Sequence, residues 1–235
     1  MINALELVSI SDFALSIVCL FLAGLTLGNG KTNKSPDTYL GFFIIFIGLS
    51  AFMGGLNHGF FEPLDQSYYP KLLTYIFAAG GTFCIFNYTI KVFTKGKVAN
   101  ILTFISYVQL VGFVLATFYI DNFILVIGNY APILFFFFIM NFLNFKIGKR
   151  EQYFSLFFLI MTLGTFVQVA KIEASELINN STLFHSIVLV GYLICMPVFN
   201  KRNHLTLKIF YYYFLLSLKI LRIFTYIIII KCIKI

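Results

Sequence analysis

Long apolar runs alternate along the chain with short stretches that carry nearly all of its charges. Seven of these runs approach the roughly 20 residues that a helix needs to cross the hydrocarbon core of a bilayer. They cover residues 10–27, 39–61, 72–90, 100–119, 122–142, 153–170 and 182–199. Strands of a membrane barrel would instead show about ten residues of alternating polarity. The pattern therefore predicts an all-α polytopic membrane protein, a bundle of seven transmembrane helices.

Composition supports this class and restricts the partners. Of the 235 residues, 60% are hydrophobic and 11% are charged, whereas about a quarter of the residues in a soluble domain are charged. The net charge of +8 resides mainly in loops and near the C-terminus, which favours contact with anionic lipid head groups. We therefore predict membrane lipids as partners and no nucleic acid. The four cysteines show no metal-type spacing and are interpreted as small core residues.

The loops between the runs differ in charge in a regular way. Lysine and arginine concentrate after the first, third, fifth and seventh runs, and the loops between these hold fewer cations and most of the acidic side chains. Because cytoplasmic loops are enriched in Lys and Arg, the N-terminus is predicted outside and the C-terminus in the cytoplasm. The segment before the first run carries no Lys or Arg, so this run is interpreted as a retained helix and not as a secretory signal.

Residues 204–235 form a segment of a different kind. Lys208, Lys219 and Arg222 interrupt its apolar residues, and their spacing places all three on one narrow helical face. This pattern predicts a basic amphipathic helix on the inner membrane surface, with an eighth span as the alternative. The chain is thus divided into a seven-helix transmembrane domain, 1–203, and a basic tail, 204–235.

The predicted topology brings polar residues of four spans to one depth. Asp12 and His185 lie near the outer starts of the first and seventh spans, and His58 and Gln168 lie near the outer ends of the second and sixth. Glu62 follows His58 by one helical turn on the same face. An ionisable side chain within a span is costly unless it has a partner, so these residues indicate a candidate site just below the outer surface.

Two chemical interpretations of this polar level stay open. His58 and His185 are candidate zinc ligands, with Asp12 or Glu62 as a third ligand or as a hydrogen-bond partner of a ligand. Zinc would lower the pKa of a bound water to about 7 and so supply a hydroxide nucleophile. In the alternative, each imidazole hydrogen-bonds a neighbouring helix, Gln168 makes an interhelical hydrogen bond and Asp12 caps the first helix.

Small residues indicate where helices approach each other closely. Gly54, Gly55 and Gly59 lie near the end of the second span, and Ala51 with Gly55 forms a pair of small residues four positions apart. We predict that these glycines pack against another helix. The Phe136–Phe138 run is expected to face lipid.

The stretch Gly54–Phe60, with the sequence GGLNHGF, resembles the second-helix signature of an uncharacterised bacterial family of seven-helix membrane proteins. Residues 167–170 (VQVA), 178–185 (INNSTLFH) and 190–193 (VGYL) resemble the sixth and seventh helices of that family. The resemblance covers the seven spans and excludes the tail. It implies a location in a bacterial cytoplasmic (inner) membrane.

More distantly, the arrangement is similar to the alkaline-ceramidase-like superfamily of membrane hydrolases, which holds zinc between a second-helix histidine and seventh-helix histidines, with a serine and an aspartate nearby. The resemblance implies that His58 and His185 occupy two of the histidine positions. Asn179 or Ser181 stands in the region of the earlier seventh-helix histidine, and Asn180 and Ser181 join the predicted polar cluster. No aspartate stands at the start of the third span.

These features lead to three hypotheses of function. The first is a zinc-dependent membrane hydrolase that acts on a lipid amide or lipid ester near the outer surface of the membrane. The second is a non-enzymatic sensor, scaffold or small-molecule binder that keeps the fold with a degraded site. The third is a transporter, for which the spans offer no clear central charge and no paired broken helices.

A reporter fused to the C-terminus tests the predicted topology. We expect signal from a reporter that is active in the cytoplasm and none from one that requires export, because the loop charges orient the C-terminus inward. The reverse result would contradict the orientation on which the outer polar level depends.

Overall fold

The computed structural model describes residues 3–28, 35–146 and 148–199. Within these ranges the chain forms seven long helices, all of them long and apolar enough to cross a membrane. They are α1 (Ala4–Gly28), α2 (Pro36–Leu56), α3 (Tyr68–Phe93), α4 (Gly96–Thr117), α5 (Phe123–Leu143), α6 (Lys149–Val169) and α7 (Asn180–Phe199). The prediction of an all-α, seven-helix membrane protein is confirmed. The predicted amphipathic tail, 204–235, lies outside the described residues.

The first helix begins earlier than the predicted start near Ile10. The Asn3 side-chain oxygen accepts a hydrogen bond from the Glu6 N–H at 2.8 Å, and the Glu6 carboxylate accepts one from the Asn3 N–H at 2.9 Å. This reciprocal pair is a capping box, which satisfies amide groups that the first helical turn leaves without partners. The alternative role of Asp12 as a helix cap is therefore wrong, because Asp12 lies about two turns inside α1.

Six of the helices close into a ring. The helices α1, α2, α3, α5, α6 and α7 each pack against the next in this order, and α7 packs against α1. The helix α4 lies outside the ring against α3, and its apolar side chains Phe104, Val108 and Val111 are exposed on the surface that lipid would cover. The C-terminal ends of α2, α4 and α6 and the N-terminal ends of α1, α3, α5 and α7 lie at the same end of the bundle. We call it the site end.

Glycines near the end of α2 allow α1 to approach closely. A Cβ atom added to Gly55 would lie 3.0 Å from the ring of Phe13. One added to Gly59 would lie 2.6 Å from Ser9 Oγ, which donates a hydrogen bond of 2.7 Å to the Gly55 carbonyl oxygen. Gly55 and Gly59, for which a packing role was predicted, thus lie at close range to α1.

An aromatic cluster closes the opposite end of the bundle. Arg150 pairs with Asp37, and its guanidinium lies over the rings of Tyr88 and Phe154 at 5.4 and 5.5 Å from their centroids. Phe137 packs against the same two rings and is 1% exposed. The expectation that its run faces lipid is wrong for Phe137. Successive residues of a helix point about 100° apart, so three in a row cannot all face lipid.

The substitution Gly59→Ala tests the contact between α1 and α2. We expect a loss of about 1–3 kcal/mol in the free energy of unfolding, because the new methyl group displaces Ser9 Oγ from its hydrogen bond. Thermal unfolding in detergent measures the loss. Gly112→Ala on α4 is the matched control, since a Cβ there meets nothing within 4 Å. Equal midpoints for the two variants would contradict the contact, and Ser9→Ala should recover part of the stability lost in Gly59→Ala.

Candidate functional site

The second span ends in a widened turn. Residues Asn57–Phe61 form a single π-helical turn, closed by a hydrogen bond from the Glu62 N–H to the Asn57 carbonyl oxygen. Such turns insert a residue into a helix and are frequent at functional sites. The sequence pattern predicted a regular helix here, so this turn was not foreseen. This turn places the side chains of His58 and Glu62 next to each other.

His58 has the acidic neighbour that its spacing predicted. Its Nδ1 lies 2.6 Å from Glu62 Oε2, and Asn57 Nδ2 donates a longer hydrogen bond of 3.4 Å to the same oxygen. A carboxylate only accepts hydrogen bonds, so the Nδ1 atom of His58 carries the proton and donates it. In the neutral imidazole this leaves Nε2 of His58 as a hydrogen-bond acceptor.

His185 joins α7 to α1. Its Nε2 lies 3.3 Å from Asp12 Oδ1, and its Nδ1 lies 3.2 Å from Ser11 Oγ, whose hydroxyl also bonds the Val8 carbonyl oxygen at 2.7 Å. Asp12 is only 2% exposed, and its Oδ2 would lie 3.0 Å from a Cβ atom added to Gly54. Gly54, for which a packing role was predicted, thus lies against Asp12 of α1. The glycine leaves the space in which the carboxylate sits.

Gln168 and its neighbours hold α6 against α7 at the site end. Gln168 Nε2 donates a hydrogen bond of 3.3 Å to Ser181 Oγ, and Asn180 Nδ2 donates one of 3.3 Å to the Gln168 carbonyl oxygen. Gln168, for which an interhelical hydrogen bond was predicted, thus bonds residues at the start of α7. These bonds connect the end of α6 directly to the start of α7.

One cavity connects the predicted residues. It has a volume of about 500 Å³ and lies inside the six-helix ring, and within the described part of the chain α4 contributes no lining residue. Its polar lining at the site end includes Asp12, Asn57, His58, Gln168, Ser181 and His185. Glu62 and Asn180 join this group by bonding His58 and Gln168 and do not line the cavity themselves. The structure therefore brings the predicted polar residues of four spans together.

The sequence pattern did not predict a further charged group at the cavity. Asp121, between α4 and α5, lies with Oδ2 4.0 Å from Lys71 Nζ, and its Oδ1 accepts a hydrogen bond of 3.4 Å from the Tyr75 hydroxyl. All three residues line the cavity. The available signal was that Lys71 and Asp121 are opposite charges in two loops predicted on the same membrane side. The sequence could not show that these loops are adjacent.

The zinc centre that the resemblance implies can be compared with this geometry. The 3.3 Å between His185 Nε2 and Asp12 Oδ1 suits two ligands of one tetrahedral ion. A catalytic zinc needs three protein ligands, however, and the described residues include no group of three or more His, Cys, Asp or Glu side chains that could hold a metal. The residues present do not fit a complete zinc centre, and zinc binding stays a prediction.

The fold and the site define an integral membrane protein whose helices surround an internal cavity with one polar end. The chain belongs to a family of unknown function (DUF6962), whose model matches residues 7–204. The chain matches neither a curated protein nor a solved structure. The more distant resemblance to the alkaline-ceramidase-like superfamily stays a prediction.

A double-mutant cycle tests the contact between Asp12 and His185. Asp12→Leu is expected to cost about 1–3 kcal/mol, because it leaves the His185 ring without its acceptor. His185→Leu leaves a buried carboxylate without its partner and should cost about 3–5 kcal/mol. Replacing both partners by apolar groups should cost clearly less than the sum of the two losses.

Thermal unfolding of the purified variants in detergent measures this coupling. A cycle between His185→Leu and Asp65→Ala is the control, since Asp65 is exposed and makes no contact with His185, and its losses should add. Additive losses for Asp12→Leu and His185→Leu would contradict the contact.

Proposed function

We propose that this membrane protein binds a small amphiphilic molecule in the cavity within its helix ring. The observation that carries the proposal is the uneven lining of the cavity, which is apolar through the bundle interior and polar at the site end. Its volume of about 500 Å³ is in the range of small-molecule sites, which are mostly apolar with a few placed polar groups. This is the non-enzymatic small-molecule binder among the hypotheses drawn from the sequence.

The apolar part of the lining suits a hydrocarbon chain. Phe43 of α2, Ile85 of α3, Leu134 of α5 and Met161 of α6 line the cavity from four sides of the ring. Each methylene group that a ligand transfers from water to such side chains contributes about 0.8 kcal/mol, whereas a ligand that enters from lipid gains little from this exchange. The chain of the ligand would thus favour uptake from water, and the polar end would orient the ligand and distinguish it from bulk lipid.

We place the polar end of the cavity at the outer face of a bacterial inner membrane. Support for this placement comes from the distribution of basic side chains. Lys91, Lys95, Lys97 and Arg150 lie at the bundle end opposite the site end, which the charge rule assigns to the cytoplasm. The head group of the ligand would then be reached from outside.

Hydrolysis of a bound lipid amide or lipid ester is the second candidate function. One contact series favours it, because the Ser11 hydroxyl, the His185 imidazole and the Asp12 carboxylate follow each other at 3.2 and 3.3 Å. A nucleophile, a base and a group that orients the base have this order in covalent catalysis. Ser11 does not line the cavity, however, so binding is the function that the geometry supports better. Neither candidate uses a metal, so a measurement of zinc in the purified protein distinguishes both of them from the metal-dependent hydrolase hypothesis.

Filling the cavity tests the proposed binding. Ala78 of α3 lines the cavity, and Ala78→Leu should reduce binding of 1-dodecanol by tenfold or more, about 1.4 kcal/mol or above, because the larger side chain takes space from the alkyl chain. Native mass spectrometry of the full chain released from lipid nanodiscs measures bound dodecanol.

Ala116→Leu is the matched control, since Ala116 belongs to α4, which lies outside the ring. It should bind dodecanol as the unchanged protein does, and both variants should keep the unfolding midpoint of a folded bundle. Failure of the unchanged protein to bind any twelve-carbon amphiphile, dodecanol included, above the level of empty nanodiscs would overturn the proposed function.

A further inference from the structure

Residues at the polar end of the cavity carry buried hydrogen-bond acceptors that nothing in the described part of the chain satisfies. Asp12 Oδ2, Asn57 Oδ1 and Gln168 Oε1 are buried and have no hydrogen-bond partner there, and all three residues line the cavity. Asp12 and Asn57 are each 2% exposed. A buried polar atom without a partner costs about 1–3 kcal/mol, so several at one place require an explanation.

The neighbours of these residues account for which atoms are left over. Asn57 directs its Nδ2 to the Glu62 carboxylate, which can only accept, so the Oδ1 atom is the one that stays without a partner. Asp12 uses Oδ1 for His185 and keeps Oδ2. His58 donates from Nδ1 to Glu62, which leaves Nε2 of the neutral imidazole as another acceptor on a residue that lines the cavity. The unused groups of Asp12, Asn57 and neutral His58 are therefore acceptors.

The charged side chains around the cavity favour a positively charged group. Lys71 and Asp121 line the cavity and pair with each other at 4.0 Å. Among the described residues, Asp12 is the other carboxylate in the lining, and its partner is the His185 imidazole and not a Lys or Arg. Glu62 adds a second carboxylate behind His58. A cationic group that binds here would thus meet unpaired acceptors and would stabilise the ionised form of the buried Asp12 carboxyl group.

We propose that the head group of the bound amphiphile is a primary ammonium. An ammonium has three N–H donors and no acceptor, which corresponds to the unpaired oxygens of Asp12, Asn57 and Gln168. Its positive charge compensates the Asp12 carboxylate. An alcohol brings only one donor, and a carboxylate would bring a second negative charge beside the Asp12 carboxylate. The assignment rests on the proposed function, because it requires that the cavity takes up an amphiphile.

Three probes of equal chain length test the assignment on the full chain in nanodiscs of zwitterionic phosphatidylcholine at pH 7. They are dodecylamine, which is protonated at this pH because alkyl amines resemble lysine with a pKa near 10.4, 1-dodecanol and dodecanoate. Charged hydrogen bonds are the stronger ones, so dodecylamine should bind about tenfold or more tightly than dodecanol. Dodecanoate should bind most weakly.

The outcomes separate this inference from the function on which it rests. Dodecanol or dodecanoate binding as tightly as dodecylamine would overturn the ammonium head group and leave amphiphile binding in place. Binding of none of the three probes would overturn both.

A substitution of the carboxylate sharpens the test. Asp12→Asn keeps the shape of the side chain and removes its charge, so the affinity for dodecylamine should fall about tenfold or more while the affinity for dodecanol changes less than about threefold. Asp65→Asn is the matched control, because it removes an exposed carboxylate at the site end that does not line the cavity. This control should leave both affinities unchanged.

A second variant keeps the proposal testable if Asp12→Asn does not fold. Asn57→Leu has nearly the same shape as the natural side chain and removes the Oδ1 acceptor, and it should also weaken dodecylamine binding more than dodecanol binding. Dodecylamine affinity equal to that of the unchanged protein in both folded variants would overturn the inference.

Discussion

The contact between Asp12 and His185 is the interaction on which the rest of the structure depends. It joins the first helix of the chain to the seventh, so it closes the ring that encloses the cavity. It also constrains α2, because the Asp12 carboxylate occupies the space that Gly54 of α2 leaves open. A larger residue at position 54 would meet the carboxylate, and an apolar residue at position 12 would leave His185 without its acceptor. The helices α1, α2 and α7 are therefore constrained together by one buried polar pair.

Buried polar pairs of this kind help to hold helices together in a membrane. Lipid tails are as apolar as the side chains of the helices, so burial of apolar surface does not drive the helices together, and close packing and hydrogen bonds do. The interfaces of the ring follow this rule, with glycine contacts between α1 and α2 and the Gln168–Ser181 bond between α6 and α7. Further interhelical pairs join Asn87 to Ser106, Gln109 to Asn129 and Tyr130 to Thr165. The polar end of the cavity is thus both a part of this network and a place where the network is incomplete.

The sequence predicted those features that depend on length, polarity and depth. Run length and loop charge were sufficient for seven spans, and the depth of His58 and His185 in their spans was sufficient to predict a shared polar level. The helix period was sufficient to pair His58 with Glu62. These predictions rest on one-dimensional spacing, which a regular helix converts directly into position.

Features that depend on three-dimensional neighbours could not be predicted in the same way. The π-helical turn that begins at Asn57 breaks the regular period, and the inward direction of Phe137 depends on how α5 is rotated in the ring. Whether two candidate zinc ligands have a third beside them depends on distances between helices that hydropathy does not contain. The unpaired oxygens of Asp12 and Asn57 emerge only when every neighbour of each atom is known.

The central claim is that His58 and His185 border one head-group site inside the helix ring. Nitrogen-15 NMR of the imidazole rings tests it most directly, because the chain contains only three histidines. During a titration of the full chain in nanodiscs with dodecylamine, we expect the signals of His58 and His185 to shift with one common dissociation constant. The signal of His204, which belongs to the predicted tail, should stay constant. Signals of His58 and His185 that stay unchanged, or that shift with different dissociation constants, would contradict a shared site.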